Sequence, residues 1–185
     1  KMNKKIDRRI IKTNESLTSS LLSLMENRPI EDITINEICD LAKTRRATFY
    51  QHFKDKYDLL TYIINKIRLD YLVQGLNEIV DIKQFCTILV ERSFKLFSRY
   101  RKLIKSSTSS PSFYLMEDIF TKEIMSAVKT KIDETKNFFS YPGSSIFLSN
   151  VFAGALMQVL KYSFKNGKEK EEEIIKELSL FLSRL

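Results

Sequence analysis

Apolar residues recur at helical spacing along almost the whole chain, and this periodicity limits the possible folds more than any other feature. Over residues 7–27, for example, Ile10, Leu17, Leu21 and Leu24 share one helix face. Glycine and proline, which end or bend helices, number only 4 and 3 among the 185 residues. A chain of this length can bury a core without disulfides or metals. We therefore predict an all-α protein.

The N-terminal third predicts a run of short helices. A first helix over residues 7–27 ends before Pro29, because the residue before a proline is disfavoured in helices. Thr34 and Glu37 have the spacing of a capping box, which predicts that a second helix begins at Thr34. A break at residues 43–45 separates this helix from a third, over residues 46–53.

A fourth helix is expected to begin near Lys56, with Asp55 as its N-cap, and to continue at least to Ile67. An extension past Gly75 toward Val80 is left open. The order of helix, helix, tight turn and helix is that of a helix-turn-helix, homeodomain-like DNA-binding module.

The third helix predicts one buried and one solvent-facing side. Phe49 and Phe53 lie four residues apart and are expected to point into the core. The residues expected to point outward are Arg45, Arg46, Ala47, Thr48 and Gln51. A short helix that presents Arg, Thr and Gln can enter the major groove and reach base edges.

Positive charge is concentrated in the same part of the chain. The net charge is +8, and Lys and Arg outnumber Asp and Glu by five over residues 1–68 but by three over the remainder. A basic surface attracts polyanions, of which nucleic acid is the commonest. Phosphate contact by a basic arm is one interpretation of Lys4, Lys5, Arg8 and Arg9, and solvated side chains are the other.

The residues of this region resemble those of the TetR family of bacterial transcriptional regulators. The resemblance rests on Ile33–Ile38, on Ala42 and on the run Thr48–Leu60, which contains the pattern Thr-aromatic-Tyr-x-His-Phe followed by Lys and a pair of leucines. It covers about residues 10–67. The family usually has Gly in the turn where this chain has Lys43, so a left-handed backbone there would strain the lysine by about 1 kcal/mol or more. The alternative is a turn of slightly different geometry, which would change the direction of the third helix.

The resemblance implies roles for individual side chains. It implies base reading by Arg45, Arg46 and Gln51, and contact of Ala47 with a thymine methyl group. It also implies phosphate positioning by Thr34, Thr48, Tyr50, His52 and Lys56.

Catalytic and metal-binding patterns are absent from the sequence. His52 is the one histidine and has no catalytic partner, and Cys39 and Cys86 have no Cys or His at metal-ligand spacing. Two isolated cysteines fit reduced thiols in the cytoplasm better than a disulfide framework, and a redox role for Cys39 is the less favoured alternative. The sequence contains no run of 18 apolar residues, the length that a membrane span requires. We expect a cytoplasmic non-enzyme without cofactor, whose native start is Met2.

The remainder, residues 68–185, is expected to form a larger helical domain after a DNA-binding domain of residues 1–67. Helices are predicted over residues 85–100, 113–136, 145–164 and 170–185, with breaks at residues 106–112 and 141–143. The helix over residues 145–164 is apolar around its whole circumference, so it needs burial on several sides. The resemblance implies that the last two helices pair with those of a second copy. The alternative is a monomer whose core absorbs both helices.

The resemblance also implies a small-molecule pocket in this domain. The region is rich in Phe and Tyr, although an aromatic stripe is more often plain core. Weak candidates for orienting a small apolar or aromatic ligand are Arg92, Tyr100, Tyr114 and Gln158. The function expected is that of a homodimeric repressor, released from a palindromic DNA operator by a ligand. The alternative is a co-activator or adaptor whose C-terminal domain binds a partner protein.

Overall fold

The computed structural model describes residues 8–135, 143–166 and 171–184, and confirms the all-α prediction. Within these ranges the chain forms α-helices and single helical turns, with no strand. The α-helices are α1 (Arg8–Met25), α2 (Ile35–Leu41), α3 (Arg46–His52), α4 (Lys56–Ile67), α5 (Ile82–Arg99), α6 (Arg101–Ser107), α7 (Pro111–Thr135), α8 (Ser145–Asn166) and α9 (Glu171–Arg184). Single turns of 3-10 helix lie at Ile30–Asp32 and Leu76–Glu78, and a turn of π-helix at Arg68–Leu72.

The chain divides into two compact units. The first comprises the described residues up to Asn65 together with Lys102–Tyr114, and the second comprises Lys66–Arg101 and the described residues from Leu115 onward. The sequence predicted a single boundary at residue 67, which leaves residues 102–114 in the C-terminal domain. The structure groups these residues with the N-terminal unit.

In the first unit, α1 packs against α2 and α2 packs against α3. The core is apolar, because one face of each helix carries the periodic residues; its fully buried members include Leu17, Leu21, Met25, Ile30, Ile33, Ile38, Phe49, Leu59, Leu60 and Ile63. The segment 102–114 joins this unit through hydrogen bonds. Ser106 Oγ donates to the Met25 carbonyl, and the Ser112 N–H and Oγ donate to the Glu31 carboxylate, at 2.8 and 3.1 Å.

In the second unit, α5 is the central helix and packs against α8 and α9. Its buried residues Phe85, Leu89, Val90 and Phe94 belong to one apolar cluster with side chains of the other helices of the unit. Burial of this continuous apolar surface is the main source of the unit's stability.

Two segments differ from the sequence expectations. The α4 helix ends at Ile67 and does not extend past Gly75, because the chain passes through the π turn and Gly75 takes a left-handed φ of 71°. The predicted break at residues 106–112 is wrong in extent, since α6 includes Ser106 and Ser107 and α7 begins at Pro111. Proline suits the first turn of a helix, and the Ser110 Oγ, which donates to the Ser107 carbonyl at 2.8 Å, closes the short connection. Of the predicted break at residues 141–143, residues 141 and 142 lie outside the described residues.

Candidate nucleic-acid interface

The turn between α2 and α3 sets the direction of α3, and Lys43 is its distinctive residue. Its φ is +51°, so the turn takes the left-handed backbone and not the different geometry that the sequence left open. The Thr44 N–H donates to the Cys39 carbonyl at 2.9 Å and the Lys43 N–H to the Asp40 carbonyl at 3.2 Å, which is the pattern of a Schellman C-cap. Lysine therefore occupies a position at which glycine carries no steric cost.

The opposite end of α2 is closed by the predicted capping box. The Glu37 N–H donates to Thr34 Oγ1 at 3.2 Å, and Glu37 Oε2 accepts from both the N–H and the Oγ1 of Thr34 at 2.8 Å. Arg28 forms an ion pair with the same carboxylate. The hydrogen bonds from Arg28 and Thr34 lower the pKa of Glu37 from 4.5 to about 2. Both ends of α2 are thus closed by hydrogen bonds to residues that are close in the chain.

Two buried aromatic residues anchor α3. Phe49 and Phe53 are buried, as predicted, and the Phe53 ring packs against Tyr62 with ring centroids 5.4 Å apart. Anchoring this side of the helix turns the other side to solvent. On that side Arg45, Arg46, Ala47, Tyr50 and Gln51 are exposed, and Thr48 and His52 are half-buried. The outward orientation predicted for the third helix is therefore confirmed for Arg45, Arg46, Ala47 and Gln51, whereas Thr48 is half-buried. Contact of these side chains with DNA stays a prediction.

The Arg46 guanidinium is held in position by two neighbours. Its Nη1 donates to Asn36 Oδ1 at 3.3 Å, its Nη2 donates to the Tyr50 hydroxyl at 3.2 Å, and it lies 5.5 Å from the Tyr50 ring centroid. Sequence analysis did not single out Asn36. The capping box places Asn36 in the first turn of α2, but its approach to Arg46 depends on how α2 and α3 cross.

The Lys56 ammonium is engaged within the unit. Its Nζ donates to the carbonyls of Glu31 and Ile33, at 2.9 and 2.8 Å, and so ties the start of α4 to the turn that precedes α2. An ammonium has three protons, so these bonds leave one for the phosphate contact that the resemblance implies. Asp55 caps α4 as expected, accepting from the N–H groups of Tyr57 and Asp58 at 2.8 Å.

Part of the predicted basic arm falls within the structure. Arg8 and Arg9 form the first turn of α1 and are exposed. Lys4 and Lys5 lie outside the described residues.

A cavity of about 600 Å³ lies within the second unit, between α5, α7, α8 and α9. Side chains from all four helices line it, and most of them are apolar. The described lining residues are Ile82, Lys83, Cys86, Val90, Val128, Ile132, Thr135, Gly143, Ser144, Ser145, Ile146, Leu148, Val151, Phe152, Ala155, Leu156, Leu178, Phe181 and Leu182. Its size is that of a small-molecule binding site.

None of the four candidate ligand residues lines this cavity. The Arg92 guanidinium donates to the carbonyls of Leu72 and Gln74, at 3.2 and 2.6 Å, and Tyr100 packs against the apolar core of the second unit. Tyr114 and Gln158 are exposed. The sequence offered no signal for the actual lining, because apolar residues that line a cavity and those that fill a core have the same periodicity.

Both cysteines are buried, with consequences for their reactivity. Burial raises the pKa of the Cys39 thiol, and burial raises that of Cys86 to about 12. Both thiols therefore stay protonated and weakly nucleophilic near neutral pH. Within the described ranges, no three His, Cys, Asp or Glu side chains are grouped to hold a metal ion, and no described helix combines the length and apolarity needed to cross a membrane.

The α8 and α9 helices carry an apolar face that the described chain does not cover. The buried face of α8 is formed by small and apolar residues such as Ser149, Ala153 and Leu160. The exposed large apolar residues of these helices are Ile146, Phe147, Val151, Tyr162, Leu180 and Phe181. On the same helix α8, a Cβ added at Gly154 would meet no neighbouring atom within 4 Å. An apolar surface of this kind is typical of a protein interface.

Comparison with known proteins finds relatives of the N-terminal part of the chain. Residues 17–63 match the family model described as bacterial regulatory proteins, tetR family. A curated relative, the uncharacterized HTH-type transcriptional regulator YxbF of Bacillus subtilis (strain 168), is 39% identical over 64 residues. That alignment covers 34% of this chain and 17% of the length of YxbF.

Solved structures resemble the chain over most of its length. A putative TetR-family transcriptional regulator from Syntrophomonas wolfei str. Goettingen superposes with a TM-score of 0.72 at 17% identity, covering 94% of each chain. The dihydroxyacetone kinase operon activator DhaS superposes with a TM-score of 0.68 at 18% identity, covering 92% of this chain and 95% of DhaS. At these identities the likeness shows a common fold.

Proposed function

We propose that the protein is a DNA-binding transcriptional regulator of the TetR family, because its residues 17–63 match the model of that family and the HTH-type regulator YxbF is 39% identical over 64 residues. More specifically, it is a homodimeric repressor that binds a pseudo-palindromic operator and leaves it when a small molecule occupies the second unit.

The observation that carries the DNA-binding proposal is the outer face of α3. Buried Phe49 and Phe53 hold the helix from one side, so its arginines and Gln51 face solvent. Arg46 is the principal base-reading residue, because Asn36 and Tyr50 already restrict its guanidinium. A guanidinium held in advance loses less conformational entropy on binding, which favours the bidentate contact that arginine makes with guanine.

The dimer proposal rests on the apolar face of α8 and α9. Its occupant is a second copy of this chain, since a two-fold interface uses the same surface on both partners and closed two-fold dimers are the commonest oligomers. A dimer presents two α3 helices, one to each half-site of the operator.

The release proposal rests on the cavity of the second unit, which is large enough for a small organic ligand. The alternative is a co-activator or adaptor whose second unit binds a partner protein. The exposed apolar residues of α8 and α9 favour that alternative equally, because a foreign protein could cover them in place of a second copy.

The DNA-binding proposal is tested by fluorescence anisotropy with DNA from upstream of the protein's own gene and with scrambled DNA, at low and physiological salt. We expect the upstream DNA to be preferred at both salt concentrations. Arg46→Ala should weaken binding to the upstream DNA by about 1–3 kcal/mol and reduce the preference for it. Lys95→Ala, which removes an exposed positive charge from the second unit, is the matched control and should leave both affinities unchanged.

Two outcomes would contradict parts of this proposal. Equal weakening of both DNAs by Arg46→Ala would make Arg46 a phosphate contact and not a base-reading residue. Equal binding of both DNAs that disappears at physiological salt would contradict specific recognition of this DNA and favour the adaptor alternative.

A further inference from the structure

Lys43 is the one described residue other than glycine whose φ is positive, at +51°. A Cβ in this left-handed region clashes with the backbone, whereas glycine adopts the conformation at no steric cost. Strained backbone of this kind persists where the surroundings enforce it, and it clusters at functional sites. The lysine side chain is therefore expected to have a task that glycine could not perform.

The interactions of Lys43 within the protein do not require a lysine. The bonds that close the turn are made by backbone groups: the Lys43 N–H donates to the Asp40 carbonyl at 3.2 Å, and the Thr44 N–H donates to the Cys39 carbonyl at 2.9 Å. Glycine would make both of them. The Lys43 side chain is exposed, and among the described residues its ammonium has no hydrogen-bond or ion-pair partner. No polar contact of the side chain within the described part of the chain thus offsets the strain.

The position of Lys43 brings its charge next to the face of α3 that is proposed to meet DNA. Lys43 precedes Arg45, the N-cap of α3, by two residues. Consecutive Cα atoms lie about 3.8 Å apart, so the Cα atoms of Lys43 and Arg45 are at most about 7.6 Å apart. Arg45 and Arg46 are exposed as well. A helix in the major groove, which is about 12 Å wide, lies between two rows of phosphates. A lysine on the turn that leads into such a helix is therefore within reach of one of these rows.

We propose that the Lys43 ammonium binds a phosphate of the DNA backbone from the turn between α2 and α3. This inference rests on the proposed DNA-binding function and adds to it a contact that the family resemblance does not imply. A lysine ammonium has three N–H donors that suit phosphate oxygens, and each neutralised phosphate releases counterions. Lys43 thus lowers the stability of the free protein and raises its affinity for DNA. Because phosphates carry no sequence information, the contact strengthens binding to every DNA sequence equally.

The test separates the charge of Lys43 from its backbone strain with three substitutions. Lys43→Met removes the charge and keeps a side chain in the left-handed turn, Lys43→Arg keeps the charge, and Lys43→Gly removes both charge and strain. Fluorescence anisotropy over a series of salt concentrations measures the affinity of the full-length protein for DNA from upstream of its own gene and for scrambled DNA. Lys95→Met, which removes an exposed charge from the second unit, is the matched control.

We expect Lys43→Met and Lys43→Gly to weaken the binding of both DNAs by about the same factor, so that the preference for the upstream DNA is unchanged. The slope of log Kd against log salt concentration should fall by about 1 for each bound subunit, since one phosphate contact is lost. Lys43→Arg and Lys95→Met should keep the wild-type slope. Lys43→Gly is expected to be more stable than the wild type, so its weaker binding would not result from unfolding.

Two outcomes would overturn this inference and leave the proposed function in place, provided that the wild type prefers the upstream DNA. Wild-type slopes in Lys43→Met and Lys43→Gly would show that Lys43 does not contact a phosphate. A changed preference for the upstream DNA with an unchanged slope would show that residue 43 acts through the direction of α3.

The proposed function can also fail separately. A wild type that binds both DNAs equally, with a slope that falls in Lys43→Met, would overturn specific recognition and leave the phosphate contact in place. A wild type that binds neither DNA would overturn both.

Discussion

At the scale of the residue, Lys43 shows how a backbone requirement and a side-chain preference can conflict. The Schellman cap of α2 needs a left-handed residue after Ala42, and the chain supplies lysine at a φ of +51°. The steric cost is tolerated because the hydrogen bonds of Lys43 and Thr44 to the last turn of α2 are both made. The side chain is exposed, so the strain lies in the backbone and not in packing.

Replacing Lys43 should therefore stabilise the free protein. We expect Lys43→Gly to raise the free energy of unfolding by about 1 kcal/mol, since glycine adopts this conformation without a Cβ clash. Urea denaturation monitored by circular dichroism measures the change. The adjacent Thr44→Gly is the matched control and should destabilise the protein. Thr44 is not in the left-handed region, so glycine relieves no strain there and only raises the backbone entropy of the unfolded state. Loss of stability in Lys43→Gly would show that the lysine side chain contributes more than its backbone strain costs.

At the scale of the element, α2 depends on a cap whose strength varies with pH. The Glu37 carboxylate accepts hydrogen bonds from Thr34 and pairs with Arg28, and all of these bonds favour its ionised form. Its pKa is lowered from 4.5 to about 2 in the folded protein. A group whose pKa is lower in the folded state stabilises the fold above its unfolded pKa, and this contribution is lost as the pH falls through the folded value.

Glu37→Gln should accordingly destabilise the protein at neutral pH and reduce its acid sensitivity. The difference in free energy of unfolding between the wild type and Glu37→Gln should be largest above about pH 4.5 and should shrink as the pH falls toward about 2. Denaturation midpoints over this range measure it. Glu26→Gln, which removes an exposed carboxylate whose Oε2 lies 3.8 Å from Lys102 Nζ, controls for the loss of one negative charge. A difference between wild type and Glu37→Gln that does not vary with pH would contradict the role given to the ionised cap.

At the scale of the whole molecule, α8 and α9 have an apolar surface that the described residues leave exposed. The core of the second unit covers one face of α8, and Val151 on the other face is 53% exposed. Phe181 of α9 is also exposed and, like Val151, lines the cavity. A second copy that covers this face would also cover part of the cavity wall, so ligand occupancy and assembly would act on the same side chains.

Val151→Glu should therefore produce a monomer with weakened operator binding. A two-fold interface would bury one such carboxylate on each of the two subunits, and both charges would be desolvated. Sedimentation velocity measures the oligomeric state, and anisotropy on the same sample measures the affinity for the operator. Val80→Glu is the matched control, because Val80 is 69% exposed and lies outside α8 and α9. A dimer that survives Val151→Glu would place the interface elsewhere.

Local features could be predicted from the sequence because they depend on residues close together in the chain. The capping box needs only Thr34 and Glu37, the break after α2 needs only the left-handed residue at Lys43, and the helices follow from apolar periodicity. The solvent-facing side of α3 followed in the same way from the spacing of Phe49 and Phe53.

Other features were decided only by the tertiary structure, because they join residues far apart in the chain. Periodicity predicts which face of a helix is apolar, but not which carbonyls Lys56 reaches, or that Asn36 meets Arg46 across the turn. The cavity is the clearest case: it exists where four packed helices fail to fill the space between them. The sequence alone thus determined most of the helices and the side of α3 that faces solvent, and the packing of distant helices decided how Arg46 is held and where the cavity lies.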